Sequence, residues 1–325
     1  MSHKIIIAVV SFLVGLGIAV LFLNRADFDQ SCTSNFRYLN PRLSCSTRYP
    51  IAKHEYLEFK NNLVSYIEAQ KEQDLAISVS VYFRDLFNGP TFGIDEEKDF
   101  IPASLLKIPV LITYLKLSES DSTLLQKELV YKQIKKEEEL EQFFIPQDMV
   151  KEGKAYKIDD LILRMISNSD NSAYDVLFAY LSEKFSNNTL LETYRELGII
   201  YPQHTLENTI TVKSYASIFR LLYQASYISP ELSEKALEML AKSNFKDGLA
   251  AGIPKNIAIA HKFGERQDSS NEQKQLHDCG IVYYPNNPYL LCIMTRGKDF
   301  QSLLDIIQMI SKKVYQEVES RKNIQ

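Results

Sequence analysis

The sequence has no tryptophan, only four cysteines and five histidines among its 325 residues, and no excess of positive charge. Its 37 Lys and Arg against 41 Asp and Glu give a formal net charge of −4, which offers no electrostatic reason to bind nucleic acid. Neither a C-x-x-C pair nor an H-E-x-x-H motif occurs, so the scattered histidines and cysteines do not predict a zinc site. We therefore expect no metal and no nucleic-acid partner.

One long apolar run, residues 5–23, stands near the N-terminus. Its length matches the roughly 20 residues that a helix needs to cross the hydrocarbon core. A cleaved signal peptide is the alternative, but the run exceeds the usual apolar region of about 7–15 residues and no A-x-A-like site follows it. We expect residues 1–25 to be a single-pass anchor in the cell membrane and residues 26–50 a linker. A folded domain over residues 51–322 then lies outside the cytoplasm.

The four cysteines form two candidate pairs. Cys32 and Cys45 flank a short segment rich in Asn, Ser and Arg, whereas Cys279 and Cys292 lie on apolar runs around the turn-forming residues 285–288. An even number of cysteines outside the cytoplasm permits disulfides. For Cys279 and Cys292, a disulfide and a pair of small buried core residues are both consistent with the pattern.

The spacing of apolar residues predicts strands at both ends of the chain and helices between them. Terminal helices are predicted at residues 54–70 and 300–318, strands at 77–83, 91–94, 257–263, 280–284 and 289–294, and helices throughout 104–242. We predict an α+β fold in which one antiparallel sheet is flanked by the terminal helices and an all-helical lobe is inserted. The sheet lobe comprises residues 51–100 and 245–322, and the helical lobe residues 101–244.

The segment Ser104-Leu105-Leu106-Lys107 is the first motif with chemical potential. Pro102 before it is favoured at a helix start, and positions i and i+3 of a helix share a face. A serine beside a desolvated lysine is an activated nucleophile. An ordinary serine at a helix start is the alternative. The same pattern at residues 243–246 precedes Asp247-Gly248, which indicates a helix end, and we interpret it as a chance match.

Two further motifs follow in the chain: S-D-N at residues 169–171 and K-F-G at residues 262–264. Taken alone, the first fits an ordinary helix end and the second an ordinary strand end. The order S-x-x-K, S-D-N, K-x-G is the signature set of class A β-lactamases and penicillin-binding proteins. On these motifs the sequence resembles that family over nearly the whole of residues 57–318.

The resemblance implies a role for each motif residue. Ser104 attacks the substrate carbonyl to form an acyl-enzyme, and Lys107 takes its proton. Ser169 relays a proton to the leaving nitrogen, Asn171 hydrogen-bonds the amide of the substrate, and Lys262 holds its carboxylate and acts electrostatically on the relay.

The resemblance also implies an oxyanion hole made by the backbone N–H groups of Ser104 and of Glu265, which follows Gly264 on the strand. No cofactor or metal is needed. The expected substrate is a small β-lactam or a cell-wall peptide with a D-alanyl-type amide.

Two features depart from the family pattern. The middle residue of the third motif is Phe263, where the family has Thr or Ser, so carboxylate binding would move to Arg266, Arg296 or His277. The catalytic Glu that the family carries in an E-x-x-x-N pattern is missing from the matching stretch, residues 197–209, in which Glu207 is the nearest candidate.

Without that Glu, an acyl-enzyme should turn over β-lactams slowly. Three hypotheses follow: a hydrolase or peptidase, a binding or sensor module that is acylated without turnover, and a degenerate fold used for protein contacts. The complete motif set argues against the third.

Overall fold

The computed structural model describes residues 36–44, 56–87, 89–132, 142–146, 148–186, 188–199, 209–267 and 272–321. The chain divides into two units, and of the first unit only the 3₁₀ turn Pro41–Ser44 is described. The apolar run 5–23, Cys32, Cys45 and Glu207 all lie outside the described residues. Within the described part, no helix has the length and apolar character needed to span a membrane.

In the second unit, strands near both ends of the chain enclose a central block that is mostly helical, as the sequence predicts. Its strands are β1 (Ser78–Asp85), β2 (Thr91–Ile94), β3 (Asp99–Phe100), β4 (Glu128–Val130), β5 (Ala155–Lys157), β6 (Ile210–Thr211), β7 (Ile259–Gln267), β8 (Lys274–Val282) and β9 (Tyr289–Gly297). Its helices are α1 (Leu57–Glu72), α2 (Lys107–Ser120), α3 (Ile158–Ser167), α4 (Asn171–Lys184), α5 (Asn188–Glu196), α6 (Val212–Tyr223), α7 (Pro230–Ala241) and α8 (Phe300–Ser320).

Five strands form one antiparallel sheet in the order β2-β1-β9-β8-β7. Strands from the two ends of the unit meet where β1 pairs with β9. One face of the sheet packs with α1 and α8 around a core that includes Leu63, Ile67, Ile307 and Ile310. The predicted α+β architecture is therefore confirmed, and β7 is an edge strand of the sheet.

The opposite face of the sheet belongs to the core of the inserted lobe, which includes buried side chains of α2, α3 and α6. Cys279 and Cys292 lie on this face as cross-strand partners on β8 and β9, and they are joined by a disulfide. The inserted lobe is predominantly helical, as predicted. Two short ladders, β3 with β6 and β4 with β5, tie its loops together.

Strand β8 begins six residues earlier than the predicted start at residue 280. The missed part contains Gln275, His277 and Asp278, whose polar character resembles that of a loop. All three are buried and hydrogen-bonded: Gln275 accepts from the N–H of Ile101, and Asp278 accepts from the N–H of Leu249. Buried polar groups with such partners are stable in a strand, but their partners are distant in sequence and give no local signal.

Candidate active site

Ser104 lies in the 3₁₀ turn Ala103–Leu106, which runs directly into α2 at Lys107. Side chains at positions i and i+3 of a 3₁₀ turn are eclipsed, so Ser104 and Lys107 lie on the same side, and both line one cavity. Ala103 has a φ of 50°, in the left-handed region that is unfavourable for a residue with a Cβ. Such strain immediately before a reactive side chain is typical of functional sites.

Strand β7 and helix α6 fix this turn from two directions. The hydroxyl of Tyr215 on α6 donates to the carbonyl of Leu105 at 2.9 Å. A Cβ added at Gly264 on β7 would lie 2.9 Å from the carbonyl oxygen of Pro102 and 3.0 Å from Leu105. Gly264 is therefore required because the strand packs directly against the turn that carries Ser104.

Lys107 is 4 % exposed and points at the S-D-N segment. Its Nζ donates to the carbonyl oxygen of Ser169 at 2.6 Å and to Asn171 Oδ1 at 2.7 Å, and it lies 3.2 Å from Ser169 Oγ. The first two motifs, 62 residues apart, thus meet through this amine.

Lys262 approaches the same hydroxyl from β7. Its Nζ lies 2.9 Å from Ser169 Oγ and donates to the carbonyl of Phe263 at 2.8 Å. Complete burial, and then the charge of Lys107, hold the pKa of Lys262 well below its usual range, while Asp278 and Glu265 act in the opposite direction. Two lysine side chains therefore converge on one buried hydroxyl.

The S-D-N segment is the joint between α3 and α4. Ser169 has a φ of 55°, and Asp170 is the N-cap of α4. The Asp170 carboxylate accepts from the N–H groups of Ser172 and Ala173, and also from that of Val150 at 2.9 Å. Because these three hydrogen bonds fix Asp170, they also fix the flanking Ser169 and Asn171.

Glu265 contributes more than the backbone N–H that the sequence suggested. Its carboxylate lines the cavity beside Ser104 and accepts from the N–H of Phe144 at 3.2 Å. Burial raises the pKa of Glu265 to about 7, against the opposing effect of the N–H groups of Phe144 and Phe143. A charged residue directly after K-x-G was the available signal for this group.

The cavity has a volume of about 240 Å³ and an open mouth. Of the predicted site residues, Ser104, Lys107, Asn171 and Glu265 line it, while Ser169 and Lys262 are buried behind these residues. The sequence did not indicate the remaining wall, although Tyr174 stands one helical turn after Asn171 and shares its face. The other described lining residues are Ala103, Leu106, Gln142, Tyr174, Arg266, Gln267 and Phe300.

Phe263 is absent from the described lining of the cavity, but its ring lies under the Lys262 amine, with Nζ 4.3 Å from the ring centroid. Its ring stacks on Phe245 with centroids 4.1 Å apart and meets Phe144 edge-on at 5.8 Å. Phe263 therefore supplies no hydroxyl to the site, and its ring packs against the Lys262 amine instead.

The three proposed substitutes for that hydroxyl lie in different environments. Arg266 lines the cavity, whereas Arg296 donates to the carbonyl of Asp99 and is not among the described lining residues. His277 is buried, with Nε2 bonded to the carbonyl of Ile101 and Nδ1 accepting from the N–H of Thr295. Burial lowers the pKa of His277 to about 4, so it is neutral near pH 7. Arg266 is the candidate that faces the cavity.

Among the described residues, no group of three or more His, Cys, Asp or Glu side chains could hold a metal ion. The cavity lining and the residues packed behind it offer two lysines, two serines and the carboxylate of Glu265. This set is suited to proton transfer and acyl transfer rather than to metal ligation.

Comparisons with known proteins agree with this arrangement. The model of a β-lactamase enzyme family matches residues 62–318. Among solved structures, PBP-A is similar with a TM-score of 0.64 and 22 % identity, covering 80 % of this chain and 96 % of its own. A mutant of PBP-A in an acyl-enzyme complex with penicillin G has a TM-score of 0.64 and 23 % identity. The match covers 80 % of this chain and 97 % of that one.

The TLA-1 extended-spectrum β-lactamase has a TM-score of 0.64 at 16 % identity, with 79 % of this chain and 98 % of its own covered. A search of curated proteins finds no match. At these identities the solved structures establish the fold, and the family match covers most of the chain.

Proposed function

Because the chain belongs to the β-lactamase enzyme family, we propose that it is a serine acyl-hydrolase in which Ser104 forms an acyl-enzyme. The observation that carries this proposal is the convergence of Lys107 and Lys262 on Ser169 Oγ, at 3.2 and 2.9 Å, behind the cavity that Ser104 lines. This arrangement supplies a nucleophile, a base and a proton relay within one site.

One of the two lysines is neutral in the proposed resting state, because two ammonium groups beside one buried hydroxyl repel each other. Three acceptors surround Lys107, as suits an ammonium group. Lys262 is the neutral partner, since both burial and Lys107 lower its pKa. Ser169 connects the two amines, so a proton shift through its hydroxyl makes Lys107 the neutral base that faces Ser104.

In the acylation step, the oxygen of Ser104 bonds to the substrate carbonyl carbon and its proton passes to the Lys107 amine. The carbon–nitrogen bond then breaks, and the nitrogen receives a proton from the Ser169 hydroxyl, which is replenished from Lys107. The backbone N–H groups of Ser104 and Glu265 hold the oxyanion that forms between these steps. Water finally hydrolyses the ester to restore Ser104.

The proposed substrate is a β-lactam or a D-alanyl-type amide. The likeness to PBP-A, a mutant of which forms an acyl-enzyme with penicillin G, supports this class. In this assignment, Asn171 binds the amide of the acyl side chain and Arg266 binds the substrate carboxylate. The second role is proposed because Arg266 lines the cavity, whereas Phe263 has no hydroxyl and is not among the described lining residues.

A penicillin-binding peptidase or an acylated sensor without turnover is the second candidate. The observation in its favour concerns Glu265, the carboxylate among the described lining residues. Glu265 lies on β7 and accepts from the N–H of Phe144, whereas the catalytic Glu of the family follows the S-D-N motif. With Glu265 in place of that catalytic Glu, deacylation of Ser104 should be slower than its acylation.

The test is to add a fluorescent penicillin to the full chain in detergent and follow label on Ser104 by gel and intact mass. Label that appears and decays supports a hydrolase, and label that persists supports the second candidate. Label of equal intensity in Ser104→Ala, or no label with any β-lactam or D-alanyl ester, contradicts the proposal.

We further infer that the catalytic domain lies outside the cytoplasm, anchored through residues 5–23. The Cys279–Cys292 disulfide supports an oxidising compartment. Protease added to intact cells should remove the domain, and protection until the cells are lysed would contradict this location.

A further inference from the structure

A second cavity, of about 350 Å³, adjoins the one that contains Ser104. Leu106 and Tyr174 belong to the walls of both cavities. Leu106 follows Ser104 by two residues, so the second cavity begins beside the nucleophile. We call it the α4–α5 groove, because most of its wall comes from these two helices.

One wall of the groove is a continuous face of α4. Asn171, Tyr174 and Phe178 follow each other at spacings of three and four residues, which places them on one side of the helix. The rings of Tyr174 and Phe178 stack with centroids 5.8 Å apart and an interplanar angle of 19°. Phe178 is 44 % exposed, which is unusual for a large aromatic side chain.

The facing wall comes from α5, and the charged side chains of the first cavity are absent from the described lining of the groove. Leu190, Leu191 and Tyr194 form this wall, with Leu181 of α4 beside them. Besides the phenol groups of Tyr174 and Tyr194, the hydroxyl groups of the described lining come from the stretch between the last turn of α4 and the first turn of α5. These described residues are Ser182, Ser186 and Thr189.

We propose that the α4–α5 groove binds the alkyl chain of a medium-chain acyl group whose carbonyl carbon Ser104 attacks. This inference rests on the proposed Ser104 acyl-hydrolase chemistry and adds a substrate class, medium-chain acyl esters or amides, to the β-lactams and D-alanyl-type amides proposed above. From Asn171 to Phe178 the helix rises roughly 10 Å, comparable with the length of an extended octanoyl chain. The stacked rings and the leucines bury its methylene groups, and the hydroxyls contact the solvated end.

The acyl half of the substrate, rather than the leaving half, is assigned to the groove for two reasons. The acyl half stays bonded to Ser104 after the first step, and the groove opens directly beside that residue at Leu106. Glu265 and Arg266 lie in the wall that β7 contributes to the first cavity, where charged or polar parts of a leaving group are better solvated.

The experiment compares 4-nitrophenyl acetate, butanoate, hexanoate and octanoate as substrates of the full chain in detergent micelles, with each ester concentration corrected for the ester taken up by the micelles. We expect kcat/KM to rise about tenfold or more from acetate to octanoate, mainly through KM, because each buried methylene group favours binding about fourfold at most. Phe178→Ala should reduce the octanoate-to-acetate ratio at least threefold, and Leu191→Trp, which fills the groove, should reduce it further. Phe178→Leu should restore most of it.

Met309→Ala is the matched control, because Met309 is a similarly exposed apolar residue on α8. Its octanoate-to-acetate ratio should equal that of the wild type. The isomeric esters ethyl octanoate and octyl acetate, followed by proton release, distinguish the two halves of the substrate. Faster hydrolysis of ethyl octanoate supports the assignment, and faster hydrolysis of octyl acetate overturns it.

Failure of the inference and failure of the proposed function give different results. Hydrolysis that Ser104→Ala abolishes, with a chain-length ratio that no groove variant changes, overturns the groove while the acyl-hydrolase proposal stands. Hydrolysis that persists in Ser104→Ala, or no hydrolysis of any ester, overturns both.

Discussion

Lys262 Nζ and Ser169 Oγ lie 2.9 Å apart, and neither residue is more than 2 % exposed. The two residues are 93 positions apart in sequence, on β7 and at the joint before α4. Burial, and then the charge of Lys107, hold the pKa of Lys262 well below its usual range. This contact links the sheet to the helical lobe and supplies the first prediction.

Replacing Lys262 by Gln should lower the rate constant for acylation of Ser104 by about 10²–10⁴, the usual contribution of a positioned proton-transfer group. Intact mass measured against time with a fluorescent penicillin gives this rate constant. Lys98→Gln, at an exposed lysine, is the control and should acylate at the wild-type rate. Equal rates in the two variants would remove Lys262 from the mechanism.

Glu265 should make the folded state less stable as the pH rises. Its pKa is raised from 4.5 to about 7, so between these values the folded chain binds more protons than the unfolded chain. The free energy of unfolding that Glu265 contributes therefore falls as the pH rises through this window. His277 acts in the opposite direction between about pH 4 and 6.5, because its pKa is lowered. The two effects partly cancel in the wild type.

The measurement is therefore a difference between variants. The quantity to compare is the free energy of unfolding of Glu265→Gln minus that of the wild type. Urea unfolding should show that this difference is about 1–3 kcal/mol larger at pH 8 than at pH 5. Glu128→Gln, at an exposed position on β4, serves as the control and should give no such difference. If the free energy of unfolding changes equally with pH in Glu265→Gln and in the wild type, the raised pKa of Glu265 is contradicted.

The sequence predicted the sheet, the terminal helices and the three motifs because those signals are local. Apolar periodicity defines a strand or helix within a few residues, and each motif occupies at most four positions. The contributions of the Glu265 carboxylate and of Tyr174 to the cavity were missed, because a side chain's neighbours depend on packing between distant elements. The reason for Gly264 was missed likewise: it makes room for Pro102 and Leu105, which lie about 160 positions earlier.

Gly264→Ala should therefore displace the turn that carries Ser104, because β7 packs against this turn. The added Cβ would lie 2.9 Å from the carbonyl oxygen of Pro102, so the turn that carries Ser104 must shift. We expect a loss of about 1–3 kcal/mol in the free energy of unfolding and at least a tenfold loss in the acylation rate. Urea unfolding and labelling measured on the same sample test both effects. Wild-type acylation in this variant would show that the close packing has no influence on Ser104.

Asp170 should stabilise the fold and position the site at the same time. Its carboxylate caps α4 and also accepts from the N–H of Val150, so Asp170→Ala leaves three N–H groups, two of them buried, without this partner. We expect a loss of about 2–4 kcal/mol in the free energy of unfolding, more than the loss of a single cap, together with a large fall in acylation. Unfolding and labelling under identical conditions measure the two quantities.

Asp299→Ala is the matched control, because Asp299 caps α8 by accepting from the N–H of Ser302 at a position exposed to solvent. This variant should lose about 1 kcal/mol of stability and keep its acylation rate. Asp170→Asn should fall between the wild type and Asp170→Ala in both quantities, since an amide oxygen still caps the helix but cannot accept from all three N–H groups as strongly. If Asp170→Ala loses stability but acylates as fast as Asp299→Ala, Asp170 has only a structural role, and Ser169 and Asn171 are positioned by other contacts.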